Sequence, residues 1–258
     1  MPRKSYDTVA KQRLNRWREA VFDLRMAGEG DSEAETRLSL LETWRKNPWA
    51  YLTAKDLDGR PIIWTADERD DEVPVKPFPD WDYLHDISDE LWKHRIVFVD
   101  KARQMYLTTL CCLLIDWFAS FHEEREVFVS RVKEGSAIKM INDKIRDVHK
   151  RKPKWLQAAI PMAMQPQEVI RYTNTNSTIT GVSQNFAVSD ARGPTASLIL
   201  VDEAGFQDYF KQIYDAVLPM TSRLWAVTTA NFGNPGGDFF RDIIREGRTE
   251  YMEQEEAA

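Results

Sequence analysis

The chain has 258 residues, 43% of them hydrophobic, enough for one large domain or for a core with an added subdomain. Its formal net charge of -6 excludes a uniformly basic nucleic-acid coat, so any contact with DNA or RNA must come from a local patch. The adjacent Cys111 and Cys112 are too few for a disulfide framework and lack metal-binding spacing. The scattered His85, His94, His122 and His149 add no metal motif, and the setting reads as reducing and intracellular. Residues 110–119 form the longest apolar stretch, but Asp116 interrupts it and it is too short to span a bilayer. Residues 1–5 lead into no signal segment, so a soluble protein without a membrane partner is expected.

In chain order, Leu14, Trp17, Val21 and Leu24 recur at helical spacing over residues 5–28. Ser32 is placed to cap a second helix that runs to about Trp44, and Asn47-Pro48 closes it. Residues 55–81 are rich in Asp, Pro and Gly and read as a long connection. Residues 1–75 are therefore expected to be a helical N-terminal subdomain with a linker, 76–250 the core, and 251–258 an acidic tail. In the core, helices are expected over 82–93, 109–121, 136–150, 209–218 and 238–246. Apolar runs at 95–99, 127–129, 198–201 and 224–228 suit strands buried on both faces. Residues 168–173 and 178–183 suit a hairpin across Asn174-Thr175-Asn176. Strands alternating with helices predict an α/β fold with a mostly parallel sheet.

Ligands of such sheets bind beyond the carboxyl ends of the strands. The run at 95–99 leads into Lys101, Ala102, Arg103, Gln104, Met105, Tyr106, Leu107, Thr108 and Thr109, and a helix follows at once. Strand, loop and helix N-terminus form a phosphate cradle of backbone N–H groups. Against the usual GxxxxGK[ST] pattern, Thr108 holds the hydroxyl slot, Leu107 the lysine slot, Tyr106 the second glycine slot and Lys101 the first glycine slot. Lys101 can supply the phosphate-binding cation from the loop's start, and Arg103 adds a planar fork suited to phosphate. Taken alone, both also fit ordinary charges on a strand–helix loop.

The run 198–201 ends in Asp202-Glu203, which places one carboxylate for a Mg²⁺ shell and a second to activate a water. A strand emerging into solvent gives the same ending, but two acids closing an apolar run about one hundred residues after the loop match the order of P-loop ATPases. Residues 224–231 form a strand ending in Thr228, Thr229 and Ala230, where a motor can sense its γ-phosphate; a β-prone threonine pair is the plainer account.

In combination, Lys-Ala-Arg-Gln-Met-x-x-Thr, the apolar-Asp-Glu strand and Thr-Thr-Ala resemble the ATPase domain of tailed-bacteriophage large terminase subunits, over about residues 78–240. The Asp190-Ala191-Arg192-Gly193 stretch is similar to that family's Arg-Gly segment. The resemblance implies a P-loop NTPase fold of the RecA-like (ASCE) kind with ATP and Mg²⁺ as cofactors. It implies phosphate binding by residues 101–109, Mg²⁺ ligation by Thr108 and Asp202, and water activation by Glu203. It further implies a γ-phosphate contact from Arg103, an arginine finger at Arg192 for a neighbouring subunit, and coupling through Thr228, Thr229 and Ala230. Phe78, Trp81 and Tyr83 could clamp adenine, or serve only in packing. The implied function is DNA packaging in the host cytoplasm, with double-stranded DNA, portal protein and small terminase subunit as partners and a homo-oligomeric ring as the working state. The family carries a nuclease after the ATPase; none follows here, so the sequence reads as a truncated chain or a solitary motor domain. Tyr106 and Leu107 in place of Gly-Lys put nucleotide affinity in doubt.

Lys139, Lys144, Arg146, Lys150, Arg151, Lys152 and Lys154 form a basic stretch that could face a DNA backbone or simply be a solvated helix face. Two further classes stay open: another helicase- or translocase-type ATPase, and a non-hydrolysing DNA-binding or assembly module with a decayed P-loop.

Overall fold

A computed structural model describes residues 31–67, 70–103, 105–164, 166–185, 196–231 and 233–256. The helix expected over 5–28, Gln104 and the 190–193 segment with Arg192 lie outside the described residues. Helices α1 (Asp31–Lys46) and α2 (Pro48–Leu52) lead into a short antiparallel hairpin, β1 (Trp64–Ala66) and β2 (Val75–Pro77). The hairpin occupies the stretch expected to be a connection. Then come α3 (Asp82–Lys93), β3 (Ile96–Asp100), α4 (Leu107–Phe121) and β4 (Glu126–Arg131). Next are α5 (Glu134–Ile141), α6 (Asp147–Arg151), α7 (Lys154–Ala159), β5 (Met162–Ala163), β6 (Val169–Tyr172) and β7 (Ser177–Ser183). The chain closes with β8 (Leu198–Asp202), α8 (Phe210–Val217), β9 (Leu224–Thr228) and α9 (Pro235–Glu256).

Among the described residues seven strands form one mixed sheet in the order β3-β9-β8-β4-β7-β6-β5. The five strands from β3 to β7 run parallel, while β7, β6 and β5 pair antiparallel, the β6–β7 pair being the expected hairpin. The period-2 alternation of strands divides the core in two. Leu198, Leu200, Trp225 and Val227 face α4, whereas Ile199, Val201, Leu224 and Ala226 face Phe210, Ile213 and Phe240 of α8 and α9. This double burial holds for β8 and β9, every residue of which is buried. It fails for β3: the strand pairs only with β9, lies at the sheet's edge among the described residues, and is half-buried. An apolar run cannot by itself distinguish a central strand from an edge strand.

Helices α1 and α2 share the α4 core: Leu41, Trp44, Tyr51 and Leu52 pack with Leu110–Leu114. Asp116, which breaks the apolar run of α4, is fully buried and accepts hydrogen bonds from Lys152 Nζ (2.7 Å), Tyr51 Oη (3.1 Å) and Tyr172 Oη. A buried carboxylate with an ammonium and two phenols around it is satisfied rather than orphaned. Burial, followed by the charge of Asp116, pushes both phenols well up; burial pushes the Lys152 ammonium down.

Between α5 and α6 the helix widens to a π turn, Asn142–Arg146. The turn is pinned from one side. Asn142 Nδ2 donates to the carbonyls of Ile138 (2.8 Å) and Gln167 (3.0 Å). Arg146 donates to Asn142 Oδ1 (2.7 Å) and to the carbonyls of Ala163, Pro166 and Val169. The basic stretch, read as facing either a DNA backbone or solvent, is therefore not a single exposed face. Arg146 and Lys152 are buried and bonded inside the protein, so these cations do not share one exposed face.

Candidate functional site

The site stands at the carboxyl ends of β3, β9, β8 and β4. The register sets Asp100 beside Thr228, Asp202 beside Val227, and Ser130 beside Val201. The loop after β3 and the acids after β8 are thus brought together across one intervening strand, β9. Lys101 N–H donates to the Thr228 carbonyl (2.9 Å), which ties the loop's start to β9.

At the end of the loop Tyr106 adopts left-handed backbone geometry, φ 55°, and α4 begins at Leu107. A side chain at such a φ costs roughly 1–2 kcal/mol, which is why glycine is the common choice in that slot. Tyr106 instead packs edge-on against Trp81 (5.5 Å), which stacks on Tyr83 (5.7 Å). Tyr83 Oη donates to the Met105 carbonyl (3.3 Å). Of the three expected adenine contacts, Trp81 and Tyr83 therefore flank the loop, while Phe78 is buried against Trp49. Leu107, in the lysine slot, is also buried in the core, so only its backbone can serve a ligand. Arg103 is exposed on the loop.

The polar chain of the site is short. Lys101 Nζ donates to Thr108 Oγ1 (2.8 Å), and Thr108 Oγ1 donates to Asp202 Oδ1 (3.0 Å). Asp202 is almost fully buried, and its backbone carbonyl accepts from Gln207 Nε2 (2.9 Å). Glu203 follows in left-handed geometry, φ 55°, turning its half-exposed carboxylate to the same side. Non-glycine residues in this region are uncommon and concentrate at functional sites. The Arg131 guanidinium bridges both acids, with Nε 3.1 Å from Asp202 and Nη2 2.8 Å from Glu203.

Thr228 is buried and joins the two halves of the site. Its Oγ1 accepts from Gly205 N–H (3.0 Å) and donates to the Thr229 carbonyl (2.9 Å). A Cβ on Gly205 would lie 2.9 Å from that hydroxyl, so the turn after Glu203 approaches β9 as closely as glycine allows. Ala230 is exposed beyond the strand.

Thr108, Asp202, Glu203 and Arg131 open onto a cleft of about 730 Å³, which Lys101 and Thr228 do not line. Its walls are Thr108 and Thr109 of α4, Asp202 and Glu203, Arg131, Ala66 and Asp67 of the hairpin, and one face of the α5–π segment. Thr108 and Asp202 offer hard oxygen donors 3.0 Å apart, and Mg²⁺ is held in such sites by one or two protein oxygens plus substrate phosphates. The donor set fits that ion. On the inner side of α4 lie Cys111 and Cys112, both fully buried. Burial, reinforced by Asp202, pushes the Cys112 thiol up to about 12.

Sequence reasoning missed Arg131 in this site. Arg131 follows the apolar run at 127–129 after Ser130, and its place in the site comes from β4 lying beside β8. The cleft residues of α5 were read only as a basic stretch, and the hairpin wall was not expected at all.

The sheet, the loop-to-helix junction and the acidic strand end define an α/β fold with a mostly parallel sheet and its candidate site at the carboxyl ends of the strands. Among solved structures the fold is similar to the HK97 bacteriophage large terminase, with TM-score 0.53 and 13% identity over 67% of this chain and 38% of that one. The chain thus spans well under half of the HK97 protein. Two weaker likenesses are to the Thermus phage P74-26 large terminase ATPase domain (TM-score 0.40, 14% identity, 54% of this chain and 60% of that one) and to the Phi-28 gp11 DNA packaging motor (TM-score 0.34, 10% identity, 54% and 48%). At those scores they add nothing to the fold assignment. No family model matches the chain, and no curated protein matches it. Among the described residues no helix is long and apolar enough to cross a membrane.

Proposed function

We propose that the chain is the ATP-hydrolysing motor domain of a viral DNA-packaging terminase, coupling conversion of ATP and water to ADP and phosphate to movement of double-stranded DNA into a procapsid. The observation that carries this reading is the Lys101–Thr108–Asp202 hydrogen-bonded chain with Glu203 beside it, at a strand–loop–helix junction. The likeness of the fold to a phage large terminase supports the choice among P-loop motors.

In this reading Lys101 meets the β- and γ-phosphates, and the first backbone N–H groups of α4 receive phosphate oxygens. Thr108 and Asp202 hold the Mg²⁺ shell. The ion supplies charge neutralisation at the phosphates. Glu203 orients and deprotonates the attacking water. Arg131 holds both carboxylates until the nucleotide arrives. Arg103 approaches the γ-phosphate from the loop, and Arg192 serves a neighbouring subunit in a ring. Trp81 and Tyr83 flank the base. Thr228, bonded at once to the loop strand and to the turn after Glu203, passes the loss of phosphate onward, with Thr229 and Ala230 beyond it. Portal protein, small terminase subunit and DNA in the host cytoplasm complete the assembly.

Two variants test the site. Lys101→Ala should abolish nucleotide binding or turnover, whereas Leu107→Met, a volume-conserving change in the core, should leave both within a few-fold. Equal effects would remove the displaced lysine from the mechanism. Glu203→Gln should keep ATP binding and lose turnover by about 10²–10⁴-fold. A wild-type chain that hydrolyses no ATP, even with DNA and assembly partners present, would instead be a non-hydrolysing assembly module.

A further inference from the structure

The face of the α5–π segment that lines the cleft carries Ser136, Lys139, Met140, Asp143 and Lys144. Three cations reach the cleft. Arg131 is paired with Asp202 and Glu203, and Lys139 with Asp143. Lys144 is half-buried and has no acidic partner among the described residues. Withdrawing an ammonium from water without a counter-charge is unfavourable, so its position makes sense if an anion completes it.

The backbone under Lys144 is not free to turn it away. Asn142 and Arg146 anchor the π turn to the carbonyls of Ile138, Ala163, Pro166, Gln167 and Val169, leaving Lys144 on the cleft side. Single π turns inside helices are rare and concentrate at functional sites. Lys144 shares the cleft wall with Thr108, Asp202, Glu203 and Arg131. The loop itself lacks a cation at its end, where Leu107 is buried.

We propose that Lys144 is a second phosphate-binding residue of this cleft and contacts the terminal phosphate of a bound nucleoside triphosphate from the α5 side. The inference rests on the nucleotide-site reading above. The rest of the cleft favours a nucleotide over a nucleic-acid backbone. Asp67, Asp143, Asp202 and Glu203 line it, and they would repel a run of backbone phosphates. The divalent cation that accompanies a single triphosphate would bring positive charge to Asp202 and Glu203, which a nucleic-acid backbone alone does not.

The test is direct binding to the full chain with Mg²⁺ and three probes: a non-hydrolysable ATP analogue, ADP and inorganic triphosphate. Lys144→Ala should weaken the ATP analogue and inorganic triphosphate by about tenfold to a hundredfold, the range of a lost charge-assisted hydrogen bond, and ADP by less than about twofold. Lys144→Arg should restore most of the loss. If Lys144→Ala does not fold, Lys144→Met keeps the aliphatic stem and takes its place. Unchanged affinity for the ATP analogue overturns the proposal, as do equal losses for ATP analogue and ADP. Loss of double-stranded DNA binding with intact nucleotide binding overturns it in favour of a nucleic-acid contact. Wild-type binding that depends on Lys101 but not on Lys144 removes this inference alone; a wild type that binds no probe removes the nucleotide-site reading with it.

Discussion

Tyr106 and Glu203 both carry side chains at a φ of 55°, Tyr106 where the loop enters α4 and Glu203 directly after β8. Each is held there by its neighbours, Tyr106 by Trp81 and Glu203 by Arg131. Such backbone costs on the order of 1–3 kcal/mol per residue and persists only where the surroundings over-determine it. A different residue governs acid stability. His149 is 2% exposed, and burial, then the charge of Lys152 and further that of Arg146 and Lys154, outweighs Asp116 and pushes its imidazole down to about 4. The unfolded chain takes that proton near 6.5, so between about pH 6.5 and 4 it binds more protons than the native state. Stability should therefore fall as pH drops through this window, by about 3 kcal/mol at full extent. Urea unfolding of His149→Asn should show a shallower decline than wild type between pH 7 and 4.5. Parallel curves would place the acid sensitivity elsewhere.

At the level of elements, α9 begins directly beneath the site. A Cβ on Gly237 would lie 1.7 Å from the carbonyl oxygen of Asn231, whose own side chain donates to the Gly205 carbonyl (2.9 Å). Gly237→Ala should therefore cost more than about 2 kcal/mol by forcing α9 away from the turn after Glu203. Gly247→Ala, in the same helix with open space around its Cβ, should stabilise by about 0.5–1 kcal/mol. Thermal unfolding of the two variants decides it, and similar shifts would mean that the α9 junction is soft. Neither requirement is visible in sequence, because a glycine reports permission for close approach without naming what approaches. The same holds for the π turn: the basic stretch reads as a surface helix until the carbonyls around Arg146 turn part of it inward. The β1–β2 hairpin escaped for another reason, since strands of three residues carry too little alternation to stand out from a Pro- and Asp-rich segment.

For the whole molecule, the alternation of buried strands with helices was legible because β8 and β9 are covered on both faces and their residues leave no polar gaps. The meeting of the loop with Asp202-Glu203 was legible because both close strands at the same end of a parallel sheet. Arg131 was not, since its role depends on β4 lying beside β8, an order that spacing along the chain does not encode. The Asp116–Lys152 pair likewise joins α4 to the segment after α6 through space alone. The buried Cys111–Cys112 pair on α4 has a practical consequence. With the Cys112 thiol held at about 12 and shut away from solvent, neither sulfur should react with an alkylating reagent while the helix stays seated. Their modification rate then becomes a clock for the opening of α4. Adding a nucleotide should slow that clock in proportion to its grip on the loop, whereas unchanged labelling would mean that the ligand leaves α4 as loosely seated as before.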